Sequence, residues 1–197
     1  MTQQQQVEVF AADEQDYRPL DTSRWAELAS KVVMAEGVRG PAELSLMFVD
    51  AEAIAALNLR FRDKEGPTDV LAFPLDDEEE RDEPPPPPFR PGTSPRLSGS
   101  GFPAVGPPRL LGDIVICPEV AAANAETHAG SFEDELALLI VHGILHLRGY
   151  DHEVEQEAAE MEQREARLLA DCYGRTTAAR SLEPDEGSDA GKPERRA

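Results

Sequence analysis

Residues 136–152 read LALLIVHGILHLRGYDH and carry three of the protein's four histidines. Between Leu136 and Leu147 the only polar side chains are those of His142 and His146. A helix that is apolar on nearly every side is buried in a core. Imidazoles on such a helix need partners, because an unpaired buried polar group costs about 1–3 kcal/mol. The stretch therefore predicts a buried helix whose two histidines are satisfied inside the protein.

The histidine spacing predicts a metal site. Side chains at positions i and i+4 of a helix lie one above the other, about 6 Å apart along the axis, so both rings can reach one ion. Gly149 can end the helix in a left-handed turn, which lets the chain fold back and bring His152 to the same ion. Three protein ligands and one water form the open tetrahedral site of catalytic zinc, whereas structural zinc usually takes four ligands. We therefore expect one zinc ion bound by His142, His146 and His152, although imidazole also suits nickel, copper and iron.

The residue after the first histidine separates this motif from that of zinc peptidases. In the peptidase motif H-E-x-x-H a glutamate at this position is the general base. Here the position is Gly143, so the usual base is missing. The glycine either leaves room for a substrate or lets the helix pack closely, and the sequence favours neither. His128 belongs to a different predicted helix, where we expect a structural or exposed role.

The rest of the chain alternates between short strands and helices. Period-two patterns predict strands at Val7–Phe10, Glu43–Val49, Asp69–Leu75 and Leu111–Cys117. Capping residues and apolar stripes predict five helices. The first runs from Thr22 or Ser23 to Gly37, and the second begins after Asp50 and turns Ile54, Leu57 and Phe61 inward. The others run from Pro118 to near Gly130, from Ser131 to Gly149, and from about Glu153 to Tyr173, the last with Val154, Ala158, Met161 and Leu168 inward. The predicted fold class is α+β, a single domain in which a small mixed sheet of about four strands packs with about five helices.

Residues 76–108 interrupt this pattern. The segment opens with DDEEERDE, continues with five prolines and ends in glycine, serine and proline. Such a composition cannot bury enough apolar surface to offset the entropy of ordering. We predict a disordered acidic and proline-rich insertion in a domain spanning residues 1–175, more plausible as an inert spacer than as a binding arm. A disordered tail is predicted at 176–197.

The charge and the termini bear on partners and compartment. The formal net charge is −20, which counts against nucleic-acid binding because phosphate repels carboxylate. No apolar run reaches the roughly 18–20 residues of a membrane helix, and MTQQQQVEVF does not resemble a secretory signal, so the cytoplasm is expected. Cys117 and Cys172 form no C-x-x-C pair and are expected to be reduced, structural thiols.

Three ordered blocks resemble one known family. The run HGILHLRGYDH, residues 142–152, resembles the signature H-G-x-L-H-L-x-G-Y-D-H of the YbeY family of bacterial metallo-endoribonucleases. LNLRFRDKEGPTDVLAFP, residues 57–74, resembles the second block, with Ala72 in place of serine, and LLGDIVICPEV, residues 110–120, resembles the third. Apart from the insertion, order and spacing agree, and the resemblance covers about Val7 to Tyr173.

The resemblance implies a function. Family members are single-strand-specific endoribonucleases that process ribosomal RNA, notably at the 3′ end of 16S rRNA, and act in ribosome quality control. It implies that His142, His146 and His152 bind zinc, that Arg62 takes part in catalysis, and that the histidine helix is metalloprotease-like. The expected partners are single-stranded RNA and the small ribosomal subunit or its proteins; the oligomeric state stays open. Arg60 and Lys64 beside Arg62 fit a solvated surface better than catalysis.

Two other functions are also compatible with the sequence. A zinc peptidase or amidase is one, although Gly143 argues against it. A non-enzymatic ribosome assembly factor with structural zinc is the other, and a fourth protein ligand would favour it. The acidic charge also predicts that free RNA binds weakly and in a salt-sensitive way, so we expect a ribosomal partner to bring the substrate close.

Overall fold

A computed structural model describes residues 7–75, 108–150 and 155–174 of the chain. The predicted tail, most of the predicted insertion, and His152 lie outside the described residues. In chain order the elements are β1 Val7–Glu14, α1 Thr22–Ala35, β2 Ala42–Val49, α2 Ala51–Arg62, β3 Val70–Pro74, β4 Arg109–Ile116, α3 Pro118–Asn124, α4 Phe132–Leu147 and α5 Glu155–Leu168, followed by a π-helical turn, Leu169–Tyr173.

The strands form one mixed sheet in the order β1-β2-β4-β3. Strands β1, β2 and β4 run parallel to one another, and β3 is antiparallel to β4 at the edge. Five α-helices and four strands in the described part of the chain confirm the predicted α+β class. None of the helices in these ranges is long and apolar enough to cross a membrane.

Apolar side chains alternate between the two faces of the sheet along β2 and β4, and helices cover both faces. One face carries Leu46 of β2 and Ile114 of β4, and it packs against α1, α4 and α5 in the larger core. The opposite face carries Val115, which packs with Ile54 of α2 in a second cluster. Burying each large aliphatic side chain contributes about 1.5–3 kcal/mol. Helices α2 and α4 therefore lie on opposite faces of the sheet.

Gly112 allows close packing where β3, β4 and α4 meet. Its φ is +140°, in a region that L side chains rarely adopt. A Cβ there would lie 2.3 Å from the carbonyl oxygen of Phe73 and 2.9 Å from Cδ2 of Leu147. The glycine thus brings the edge strand against the last turn of α4, directly after His146.

Several local predictions were wrong. Phe61 was expected to face inward, but it is 55% exposed and makes an edge-on contact with Phe73, with ring centroids 5.0 Å apart. It lies in the last turn of α2, where the helical stripe has run past the smaller cluster that holds Ile54. Helix α3 ends at Asn124 and continues as turns, rather than reaching Gly130. The cap of α1 is Asp21, whose carboxylate accepts from the backbone N–H of Arg24.

Candidate metal centre

Helix α4 is mostly buried, and its C-terminal half carries two histidines. Ser131 caps its first turn by accepting from the backbone N–H of Asp134, as the sequence predicted. The body of the helix is almost wholly buried. His142 and His146 lie on the same side, only partly exposed. The helix therefore presents the two imidazoles together at one point of the core surface.

The two imidazoles face one another through their Nε2 atoms, which are 3.0 Å apart. The ring planes meet at 80°, with centroids 4.5 Å apart. Each Nδ1 meets an acceptor: Nδ1 of His142 lies 2.6 Å from Oε1 of Glu165, and Nδ1 of His146 lies 3.1 Å from the carbonyl oxygen of Tyr150. Both rings are therefore held from the side away from their partner.

These contacts favour a proton on Nδ1 of each ring. A carbonyl oxygen only accepts, so Nδ1–H of His146 donates to the carbonyl of Tyr150, and in the neutral ring Nε2 keeps the lone pair. The carboxylate of Glu165 accepts in the same way from Nδ1–H of His142. With both rings neutral, two Nε2 lone pairs face one another, and a proton or a metal cation held between them offsets their repulsion. Two zinc–nitrogen bonds of about 2.0–2.1 Å at a tetrahedral angle separate their nitrogens by about 3.3 Å. The pair fits this chemistry.

The turn after α4 supports the second histidine. Gly149 has φ +84°, and its N–H donates to the carbonyl of His146 at 2.9 Å. The N–H of Tyr150 donates to the carbonyl of Leu145 at 3.0 Å. These bonds form a Schellman motif, which requires a left-handed residue after the helix. The predicted role of Gly149 is confirmed, and the same turn aims the carbonyl of Tyr150 at the His146 ring.

Glu165 is the site residue that sequence reasoning missed. It belongs to α5, and it is 8% exposed. The signal was present: Met161, Glu165 and Leu168 occupy one stripe of α5, and the two apolar members pack in the main core. A carboxylate at a core position of an amphipathic helix needs a partner inside. Only the folded chain shows that the partner is His142.

His152, the predicted third ligand, lies outside the residues that the structure describes. His152 lies in the undescribed range 151–154, and the described residues contain no cluster of three metal-binding side chains. The placement of His152 at the ion therefore stays a prediction. The sequence expectation that the chain turns back just before it is supported by the left-handed Gly149.

Arg62 is the last residue of α2, and it is exposed. Its helix lies on the sheet face opposite α4, so the described contacts do not bring it against the histidines. Its neighbour Phe61 touches Phe73 of the edge strand, and the backbone of Phe73 approaches Leu147 of α4 at Gly112. Arg62 and the histidine helix thus flank the same end of the edge strand.

Other residues singled out in the sequence have structural roles. A Cβ on Gly143 would lie 3.0–3.3 Å from three side-chain carbons of the buried Ile114, so this glycine serves helix packing. His128 lies 3.0 Å from the fully buried carboxylate of Glu135 and tethers the loop before α4. Both cysteines are free, and burial raises the pKa of the thiols of Cys117 and Cys172.

Comparison with known proteins places the chain in a family. Residues 10–173 match the family model described as Endoribonuclease YbeY. A protein of that name from Thermobifida fusca is 42% identical over 168 residues, which cover 85% of this chain and 92% of the relative. One from Frankia alni is 40% identical over 94% of this chain and 96% of its own length. The solution structure of TM1509 from Thermotoga maritima aligns with a TM-score of 0.50 and 25% identity, covering 92% of this chain and 99% of its own. The chain belongs to the YbeY family.

Proposed function

We propose that this protein is a zinc-dependent, single-strand-specific endoribonuclease that acts in the cytoplasm on ribosomal RNA. Its tasks would be maturation of the 3′ end of 16S rRNA and ribosome quality control, with the small ribosomal subunit or its proteins as partner. Membership in a family described as endoribonucleases supports the RNA cleavage. The main support for metal dependence is that the Nε2 atoms of His142 and His146 lie 3.0 Å apart, while Nδ1 of each ring contacts an acceptor.

Each site residue has a role in this proposal. His142 and His146 would hold the ion, and His152 would be the third ligand. A zinc ion bound there supplies a Lewis acid for the negative charge that develops on the phosphate during cleavage. Arg62 would contribute a guanidinium to the same charge, because its planar fork suits phosphate oxygens. Gly143 cannot act as a general base, which sets this site apart from that of a zinc peptidase.

The surface at the end of α2 suits a single strand. Phe61 is 55% exposed, and the guanidinium of Arg60 lies 5.1 Å from the centroid of its ring. Exposed aromatic rings beside arginines stack unpaired bases, at about 1–3 kcal/mol per base. A base in a duplex is already stacked and offers no free face. The exposure of Phe61, which the sequence did not predict, therefore supports a preference for unpaired RNA.

Elemental analysis and a cleavage assay test the proposal together. The purified protein is expected to contain about one zinc ion per chain. It should cut a single-stranded RNA and spare the matching duplex. Chelation should abolish cleavage, and added zinc should restore it. His142→Ala should lower zinc content and remove the activity.

The alternatives predict different results. Zinc binding without RNA cleavage, unaffected by added small subunits, would favour an assembly factor with structural metal. Chelator-sensitive cleavage of a peptide or amide substrate would favour a zinc peptidase or amidase. Cleavage that survives complete removal of the metal would contradict the proposed dependence on zinc.

A further inference from the structure

We propose that Glu165 is a positioning residue that fixes the tautomer and orientation of His142 and so presents its Nε2 to the metal. The inference rests on the proposed zinc site. It adds a residue from α5 to a site that the sequence placed wholly on α4 and the turn after it. Glu165 does not touch the ion in this proposal, but acts through the histidine ring.

The contact has the properties of a supporting interaction around a metal ligand. The 2.6 Å separation between Nδ1 of His142 and Oε1 of Glu165 is short for an N–H···O bond. Both side chains are largely buried, with 12% and 10% of their side-chain surface exposed. Water therefore competes little for either group. Metal-binding histidines commonly donate their other ring N–H to a carboxylate, which fixes the ring and raises its basicity.

The two histidines are supported by different means. His146 donates to a carbonyl in the turn that ends its own helix, so its support is local. His142 donates to a residue 23 positions further along the chain. The geometry at His142 thus depends on how α5 docks. The residue before Glu165 strengthens that docking, because Nε of Arg164 lies 2.6 Å from Oε1 of Glu36, whose side chain is 4% exposed.

Removal of the carboxylate should change His142 in a definite way. Without an acceptor at Nδ1, the ring proton is free to move to Nε2, and the ring is free to turn. Either change withdraws the lone pair that binds the ion. Loss of such a supporting partner typically costs 10–100-fold in metal affinity. We expect about 100-fold weaker zinc binding for Glu165→Ala, and about 10-fold for Glu165→Gln, whose amide oxygen can still accept.

The test uses two readouts on the full-length protein. Zinc affinity is measured by competition with a chromophoric chelator for the wild type, Glu165→Ala and Glu165→Gln. Separately, the ring ¹⁵N shifts of His142 in metal-free protein report which nitrogen carries the proton. Glu160→Gln is the matched control, because it removes an exposed carboxylate from the same helix. Thermal unfolding identifies any variant that fails to fold, and Glu165→Gln then decides.

The outcomes separate this inference from the proposed function. Weaker zinc binding together with a proton moved to Nε2 of His142 supports the positioning role, even if the protein cleaves no RNA. Zinc affinity within about twofold of wild type in a folded Glu165→Ala, with the proton still on Nδ1, would overturn it. If the wild type binds no zinc, the proposed metal dependence fails, and an unchanged His142 tautomer in Glu165→Ala would overturn the inference as well.

Discussion

The two ring nitrogens of each site histidine have different tasks. In His142 and His146 the Nδ1 atom meets an acceptor from the protein, and the Nε2 atom faces the other ring. An imidazole that donates from one nitrogen offers the other as a ligand. Both Nδ1 contacts therefore favour the tautomer that leaves Nε2 available as a ligand.

Arg62→Ala is expected to slow RNA cleavage by about 100-fold, the usual cost of losing one donor to a developing anion. The side chain is exposed at the end of α2, on the sheet face opposite α4, so zinc content and melting temperature should stay at wild-type values. Single-turnover cleavage and elemental analysis measure the two effects. Arg167→Ala, which removes an exposed arginine from α5, is the control. Cleavage at the wild-type rate by Arg62→Ala would rule out its assigned role.

Glu135 should make stability depend on pH. Burial raises the pKa of this fully buried carboxyl and nearby Asp69 raises it further, while the hydrogen bond and charge of His128 lower it. A carboxyl whose pKa is raised by folding contributes stability below its unfolded pKa, and this contribution is lost as pH rises through the folded pKa. Relative to Glu135→Gln, the wild type should therefore lose unfolding free energy as pH rises above about 4.5.

Urea unfolding at several pH values between about 4 and 7 measures this difference. Glu133→Gln is the control, because Glu133 is exposed in the same helical turn. Its free energy of unfolding should run parallel to that of the wild type. A difference between wild type and Glu135→Gln that grows in favour of the wild type as pH rises would show that the pKa of Glu135 is lowered by folding instead.

At the scale of elements, the C-terminal turn of α4 both ends the helix and contacts His146, one of the proposed metal ligands. The left-handed Gly149 turns the chain so that the carbonyl of Tyr150 faces Nδ1 of His146. The same backbone turn therefore closes the end of the helix and orients the His146 ring. Gly40, between α1 and β2, has nearly the same φ, +88° against +84°, and a Cβ built on either glycine meets no atom within 4 Å. The two glycines separate the effects.

Gly149→Ala should lower the free energy of unfolding by about 1 kcal/mol, because a Cβ is strained in the left-handed region. It should also weaken zinc binding by about 10-fold as the turn relaxes and moves the carbonyl of Tyr150. Gly40→Ala should show the first effect without the second. Thermal unfolding and a zinc competition assay measure both. Equal zinc affinities in the two variants would mean that the turn does not support His146.

The elements that follow local rules were predictable, and the contacts between distant elements were not. The period of apolar residues gave the four strands and the buried histidine helix, and Ser131 and Gly149 marked the ends of α4. The prediction for Phe61 was wrong although Phe61 continues the apolar stripe of Ile54 and Leu57. The smaller hydrophobic cluster that holds Ile54 does not extend to the last turn of α2, so Phe61 stays exposed. The sequence did not identify Glu165 as a site residue, because a carboxylate in an apolar stripe indicates a buried partner but does not show which residue that partner is. Spacing could pair histidines four residues apart, but not a histidine and a glutamate 23 residues apart.

At the scale of the whole molecule, charge and substrate are in tension. The chain carries 39 acidic and 19 basic side chains, excluding histidine. Seven of those carboxylates and three of the arginines lie in residues 76–107, a net charge of only −4, so that segment is not the main source of the total of −20. The acidic surface therefore belongs largely to the rest of the chain. Arg60, Arg62 and Lys64 form a local exception at the end of α2.

This balance predicts weak binding of naked RNA. At physiological salt we expect a Kd of about 10⁻⁴–10⁻⁶ M for single-stranded RNA, in the range of nonspecific electrostatic binding, and a steep loss of affinity as salt rises. A partner on the small subunit that holds the enzyme near its substrate would raise the effective concentration and increase avidity by about 10²–10⁴. Fluorescence anisotropy across a salt series, with and without small subunits, measures this gain, and large subunits at equal concentration are the control. Tight binding to naked RNA at physiological salt would show that the basic group at the end of α2 outweighs the acidic surface, and that no ribosomal partner is needed to recruit the substrate.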